Sequence, residues 1–172
     1  MEIIDFIKVN FDHLIDNECR EIAIGRFIMG DILSDNNVII RLERLDSNEG
    51  TKCDCIIFSF LENHHLFAIS IVELKSPNFK FSHSKSQIEN CIRFLKQNIF
   101  NNQECRTLLR TLSWDFFPII VSKSFKNRVS NRAMLSPNNR IEFIERQSRI
   151  VIRANYNNHD LLTIILRNFR EN

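Results

Sequence analysis

Two apolar runs, CDCIIFSFL (53–61) and LFAISIVELK (66–75), flank the polar stretch Glu62-Asn63-His64-His65 and carry the clearest pattern in the chain. Both are rich in β-branched and aromatic residues, so both are predicted strands, and so short a connection joins them antiparallel. VIIRLERL (38–45), bounded by Asp35-Asn36-Asn37 and DSNEGTK, predicts a preceding strand and completes a meander of three. Upstream, Ile4, Ile7, Phe11, Leu14 and Ile15 recur at helical spacing. Asp16-Asn17 offer a cap, and Cys19, Ile22, Ala23, Phe27 and Ile28 resume the period, so two short helices or one broken helix are expected before Gly30. Downstream, Ser76-Pro77 closes the third strand, because proline has no N–H for a ladder. Ile88, Cys91, Ile92 and Leu95 then trace a helical face from about residue 84 to 99. FFPIIVS (116–122) predicts another strand, 140–146 and 149–154 a strand pair, and 159–168 a helix. The expected fold class is α/β, a central mixed β-sheet with an antiparallel three-strand meander flanked by helices, in one domain over residues 1–172.

The hairpin has a register that can be counted. With Asn63-His64 as a two-residue loop, partner numbers sum to 127, which sets Asp54 opposite Glu73. Alternation then gives one face Asp54, Ile56, Phe58 and Phe60 beside Phe67, Ile69, Ile71, Glu73 and Lys75. The other face, with Cys53, Cys55, Ile57, Leu66, Ala68, Val72 and Leu74, is nearly as apolar, so both faces should be covered. Three charges therefore end an otherwise apolar face. Two adjacent carboxylates repel unless a proton or a cation comes between them. A hard divalent cation resolves the conflict, since Mg²⁺ takes oxygen ligands, often one or two carboxylates, and keeps positions for water and phosphate.

Composition narrows the setting. Hydrophobic residues at 44% and charged residues at 26% are ordinary globular values. No apolar run reaches the roughly 18–20 residues of a membrane span, and the N-terminus MEIIDFIKVNFDHL carries acids where a signal peptide carries positive charge. A soluble, cytoplasmic protein is expected. The five cysteines, at 19, 53, 55, 91 and 105, form no C-x-x-C pair, so buried reduced thiols are expected rather than a disulfide framework. Cys53-x-Cys55 with His64-His65 matches none of the usual zinc spacings. The net charge of +2 hides an asymmetry, −5 over residues 1–105 and +7 over 106–172, and the basic half is a candidate polyanion surface.

The Asp54…Glu73-Leu74-Lys75 constellation resembles the PD-(D/E)xK nuclease superfamily, whose motif sets an acid at the start of one strand and Glu-x-Lys in the next. Cys53 stands where those enzymes often have proline. The resemblance implies a restriction-endonuclease-like fold and a Mg²⁺- or Mn²⁺-dependent nuclease acting on DNA ahead of RNA. Asp54, Glu73 and the Leu74 carbonyl would ligate the metal, and Lys75 would position the attacking water. It also implies a role for Gln87, on the helix after the Lys strand, and for an acid from an N-terminal helix, with Glu21 preferred to Glu18. The aromatic residue that follows the glutamine in one subgroup is Cys91 here.

Each residue also has a plainer reading: a salt-bridged sheet end for Asp54, Glu73 and Lys75, a solvated residue for Glu21, a polar helix face for Gln87. Lys80, Lys123, Lys126, Arg128 and Arg132 are candidate nucleic-acid contacts, and Arg140, Arg146, Arg149 and Arg153 could track a phosphate backbone. Phe79 and Phe81, around Lys80, are read as pins holding a loop to the core. Two other functions are compatible: a catalytically inactive subunit of the same fold that binds nucleic acid or a protein partner, alone or as a homodimer, and a cap-snatching type endonuclease, for which His13 is the candidate extra ligand.

Overall fold

Ile3, Ile4 and Ile7 line one side of helix α1 (Glu2–Asn10) and are fully buried, which fixes the helix against the sheet. A computed structural model describes residues 2–21, 25–27, 36–42, 52–75, 79–122, 136, 139–154 and 165–166. After α1 and a 3₁₀ turn (Asp12–Leu14) come strands β1 (Ile15–Asp16), β2 (Cys19–Glu21) and β3 (Gly25–Phe27), then β4 (Asn37–Arg41), β5 (Cys55–Leu61) and β6 (Leu66–Lys75). Helix α2 (Phe81–Phe94) widens into a π turn at Leu95–Ile99 and is followed by α3 (Gln103–Thr111). Strands β7 (Ser113–Ser122), β8 (Arg140–Phe143), β9 (Arg146–Arg149) and β10 (Val151–Ala154) complete the described elements.

The central sheet is six-stranded and mixed, in the order β1-β4-β5-β6-β7-β10. The β4-β5-β6 meander is antiparallel, as expected, and the hairpin register runs from Cys55↔Val72 to Leu61↔Leu66, the counted sum of 127 throughout. The turn is closed by the His65 amide donating to the Glu62 carbonyl at 3.1 Å, with His65 at φ 47°. The helices α2 and α3 form the crossover from β6 to β7, which pair in parallel over ten residues, Leu66↔Ser113 to Lys75↔Ser122. Pro118 is tolerated inside β7 because it is paired on one side only: the β10 ladder begins one residue later, at Ile119↔Val151.

Both sheet faces are covered. Ile56, Phe58, Phe67, Ile69 and Ile71 pack with α1, α2 and α3, while Ile57, Ala68, Val72, Leu74 and Ile119 pack on the other side with Cys19 and Ile165. This explains the near-continuous apolar run of β6, buried in every residue but the last. Among the described residues, no helix is long and apolar enough to cross a membrane.

Several expectations are corrected. Residues 19–21 and 25–27 are the two strands of a hairpin, not a second helix: Cys19 pairs with Phe27 and Glu21 with Gly25. The apolar spacing there fitted a helical period, but Cys19 is buried because it is tied to the sheet. Four cysteines are oxidised, as Cys19–Cys55 and Cys53–Cys91, with Cα atoms 5.8 and 5.9 Å apart, and only Cys105 is a free thiol. Sequence spacing could not show this, because each bridge joins residues more than 35 apart that only the fold brings together. The strand at 53–61 begins at Cys55, and that expected at 38–45 runs Asn37–Arg41, with Leu42 outside it and 43–45 outside the described residues. The pair at 140–146 and 149–154 is instead a hairpin that turns at Ile144-Glu145, followed by β10 as a sheet edge. The helix at 159–168 is described only at Ile165 and Leu166, and 123–135 lie outside the described residues.

Candidate functional site

Asp54 sits in the bend that feeds β5, one residue outside the ladder, and its position is set from both neighbours. Cys53 is bonded to Cys91 of α2, and Cys55 to Cys19 of β2. Its own carbonyl accepts from the Leu42 amide at 3.3 Å, which carries the β4 pairing one step further. Cys53 therefore belongs to the helix-covered face, beside the carboxylates' end of the sheet, and does not point away from it as alternation predicted. The strict two-residue period applies only within a strand, and Cys53 lies before β5 begins.

The Asp54 carboxylate turns toward β6, where its Oδ2 accepts from the Leu74 amide at 2.6 Å. This short charge-assisted bond supplies the acceptor that a longer β5 would have offered. Glu73, one residue earlier, is fully buried, and the Lys75 ammonium pairs with its Oε1 from two residues along the same face. The Lys75 side chain keeps 19% exposure, so this pair lies where the buried sheet meets solvent. Asp54, Glu73 and Lys75 are thus brought together at one end of β6, two negative charges against one positive.

Gln87 lies above this end on α2. Its Nε2 donates to the Lys52 carbonyl at 3.3 Å, two residues before Asp54, while its Oε1 is buried with no hydrogen-bond partner among the described residues. One turn earlier on the same helix face, the fully buried Ser84 hydroxyl also has no partner among the described residues. The sequence reading passed over Ser84; its place three residues before Gln87 was the available signal. Two orphaned polar groups on the helix above a carboxylate pair suit a site that takes a polar guest, since buried polar atoms are normally satisfied.

The fit to a hard divalent cation is good in kind and incomplete in number. Two carboxylates and a backbone carbonyl are oxygen donors of the type Mg²⁺ or Mn²⁺ takes, with places left for water and phosphate. Among the described residues no three His, Cys, Asp or Glu side chains converge. Glu21, expected on a helix, lies on β2 instead, two residues from the Cys19–Cys55 bridge. Lys80 is exposed at the start of α2, and Phe79 and Phe81 on either side are partly buried against the core, as loop pins should be. Lys123, Lys126, Arg128 and Arg132 lie outside the described residues. His13 is exposed in the turn after α1.

Cys105 is buried on α3, and its thiol pKa is pushed up to about 12, by desolvation first and by the neighbouring Glu104 charge second. A thiol held neutral in this way is not a nucleophile at ordinary pH. A concavity of about 830 Å³ lies elsewhere, beside Trp114. Trp114 pairs with Phe67 while Glu73 pairs with Ile120, so that cavity sits at the opposite end of the sheet from the carboxylates. No protein-family model, curated protein or solved structure matches this chain.

Proposed function

We propose that the protein is a Mg²⁺- or Mn²⁺-dependent nuclease with a restriction-endonuclease-like fold, hydrolysing phosphodiester bonds in DNA ahead of RNA. The observation that carries the reading is the hairpin register, which sets Asp54 beside β6 at the level of Glu73, Leu74 and Lys75. Asp54 and Glu73 would hold the metal together with the Leu74 carbonyl. In an antiparallel ladder the amide and carbonyl of one residue face the same neighbour, and the Leu74 amide already faces Asp54. When bound, the cation would supply charge stabilisation at phosphorus and a more acidic water. Lys75 would leave Glu73, orient the attacking water and offset charge developing on the phosphoryl oxygens. Gln87 would donate or accept from the same side through an amide already anchored on Lys52. The reading takes the whole chain as one such domain with nucleic acid as its partner.

A second reading rests on the same geometry. The Leu74 amide on Asp54 and the Lys75 ammonium on Glu73 leave both carboxylates engaged by the protein itself. An inactive subunit that binds nucleic acid or a protein partner would keep such a cluster as a sheet-end clamp.

Asp54→Asn separates the two. It keeps an oxygen for the Leu74 amide while removing the charge a metal requires, whereas Asp54→Ala would also orphan that amide, at about 1–3 kcal/mol. Incubating labelled DNA and RNA with Mg²⁺ or Mn²⁺ should give cleavage by the wild type, at least about 100-fold slower with Asp54→Asn or Lys75→Ala. No cleavage by the wild type, or equal cleavage by Asp54→Asn, sinks the enzyme reading.

A further inference from the structure

The exposed side of α2 and its π turn borders three adjoining depressions. The first, about 170 Å³, lies between Lys52, Asn90, Arg93 and Gln97. Arg93 is also a wall of the second, about 350 Å³, which reaches Lys96 and Arg140. Lys96 is in turn a wall of the third, the cavity of about 830 Å³ that includes Arg106, Arg110, Trp114 and Arg146. Shared walls make the three one groove. It starts at Lys52, two residues before Asp54, and ends at Trp114, six residues of β7 away from the level of Glu73. At about 3.3 Å per residue that is about 20 Å, the span of about six phosphates of a B-form strand.

The groove is basic, and Lys96, Arg110 and Arg146 are placed to meet an anion. Among the described residues, seven Lys and Arg line it against three acids, Glu89, Glu142 and Glu145, and Glu89 is paired with Lys85 at 3.8 Å. Arg106 is committed to the Phe100 carbonyl and the Asn101 side chain. Lys96 and Arg110 have no ion-pair partner among the described residues. Arg146 lies 4.5 Å from the centroid of the Trp114 ring, a stack that holds a guanidinium in place without using up its N–H groups. The cavity beside Trp114 is also where the backbone is strained: Ile144 at φ 47° and Glu145 at φ 63° are left-handed without being glycine, and both line it. Lys96 and Gln97 are presented by a π turn, an irregularity that often marks functional segments.

We propose that this groove is a phosphodiester-backbone track, which holds a nucleic-acid strand along α2 from the Trp114 cavity to Lys52. A compact basic pocket alone would suit a small phosphate, whereas a chain of three joined depressions with cations in each suits a linear polyanion. Delivery of the strand to Asp54 rests on the nuclease reading above; binding in the groove does not.

The chain has a single tryptophan, Trp114, so the groove carries its own reporter. A labelled oligonucleotide is titrated into the full chain in EDTA, with the label's anisotropy and Trp114 emission read together. The expected result is that both signals follow one binding curve, and that Lys96→Gln with Arg110→Gln weakens it about 10-fold or more and reduces the salt slope by about 2. Arg110 is exposed, and circular dichroism checks that the variant is folded. Binding without a Trp114 response, binding unchanged in the variant, or no binding overturns the track. Inorganic pyrophosphate acting on Trp114 at lower concentration than the strand would make this a small-phosphate pocket and also overturn it, as would an equal response to polyglutamate. Because metal is absent, loss of the cleavage activity proposed above leaves this result untouched.

Discussion

Asp54 shows how one side chain can look like a metal ligand and a structural cap at once. Its carboxylate finishes the ladder that β5 leaves short, through a 2.6 Å bond from the Leu74 amide, and the same turn of the side chain brings it to the level of Glu73. The sequence made this legible because partner numbers follow from loop length alone, and Asn63-His64 leaves little choice of register. Glu21 was not legible in the same way. Its neighbours Cys19, Ile22, Ala23, Phe27 and Ile28 satisfy a helical period, while in the fold Cys19–Glu21 pairs antiparallel with Gly25–Phe27 and Cys19 is bridged to Cys55. Cys105 yields a prediction at this scale. Its thiol, with a pKa raised from 9.0 to about 12 by burial, should resist alkylation at pH 8 in the folded protein and react on unfolding. The sign for stability is fixed: the contribution is complete below pH 9, where both states are protonated, and is lost as pH rises toward 12 and the unfolded thiol ionises. Equal alkylation rates in folded and unfolded protein would contradict this burial.

At the scale of elements, β6 and α2 were readable and α3 was not. The run LFAISIVELK is apolar without alternation, as a strand covered on both faces must be, and the strand occupies those ten residues. Helix α3 is short and polar, and its signals are local: the Asn102 side chain accepts from the Glu104 and Cys105 amides at 2.8 and 3.3 Å, and Cys105 and Leu109 alone are buried. The β8–β9 hairpin was not legible: 140–146 reads as one strand, since Ile144-Glu145 has none of the residues that left-handed turns favour. What holds it is Phe143, whose ring makes edge contacts with Phe100, Trp114 and Phe116 at 5.3, 5.8 and 5.4 Å between centroids. Tertiary packing has overridden local preference. Replacing Ile144-Glu145 by Asn-Gly should therefore stabilise the protein by about 1–2 kcal/mol, read as a higher midpoint in urea. A lower midpoint would mean that the Ile144 and Glu145 side chains contribute more than their backbone strain costs.

The whole molecule is a mixed sheet whose site end is tied by two covalent staples. Cys53–Cys91 joins the entry to β5 to the helix that carries Gln87, and Cys19–Cys55 joins β5 to the strand that carries Glu21. The two bridges bracket Asp54, so three of the four elements that bear the candidate residues are cross-linked, and β6 is held to them by its ladder with β5. Chain-entropy reasoning gives each loop of this size about 3–4 kcal/mol. Denatured, unreduced protein should therefore titrate one thiol, Cys105, and five after reduction, with a lower melting temperature in the reduced form. Five thiols without reductant would show that the bridges do not form, as in a reducing cytoplasm. Charge at this scale was half legible. The basic excess of residues 106–172 pointed to polyanions, yet the groove along α2 also draws on Lys52, Arg93 and Lys96 from the acidic half, which only folding brings beside Arg110 and Arg146.

The claim on which the functional account rests is that Asp54 and Glu73 form a binding site for a hard divalent cation. Titration of Mn²⁺ followed by electron paramagnetic resonance of the free ion tests it without substrate. The account predicts one bound ion per chain in the wild type, lost in Asp54→Asn and in Glu73→Gln while the circular dichroism of each variant is unchanged. No bound Mn²⁺ in the wild type, or the same binding in both folded variants, would contradict it.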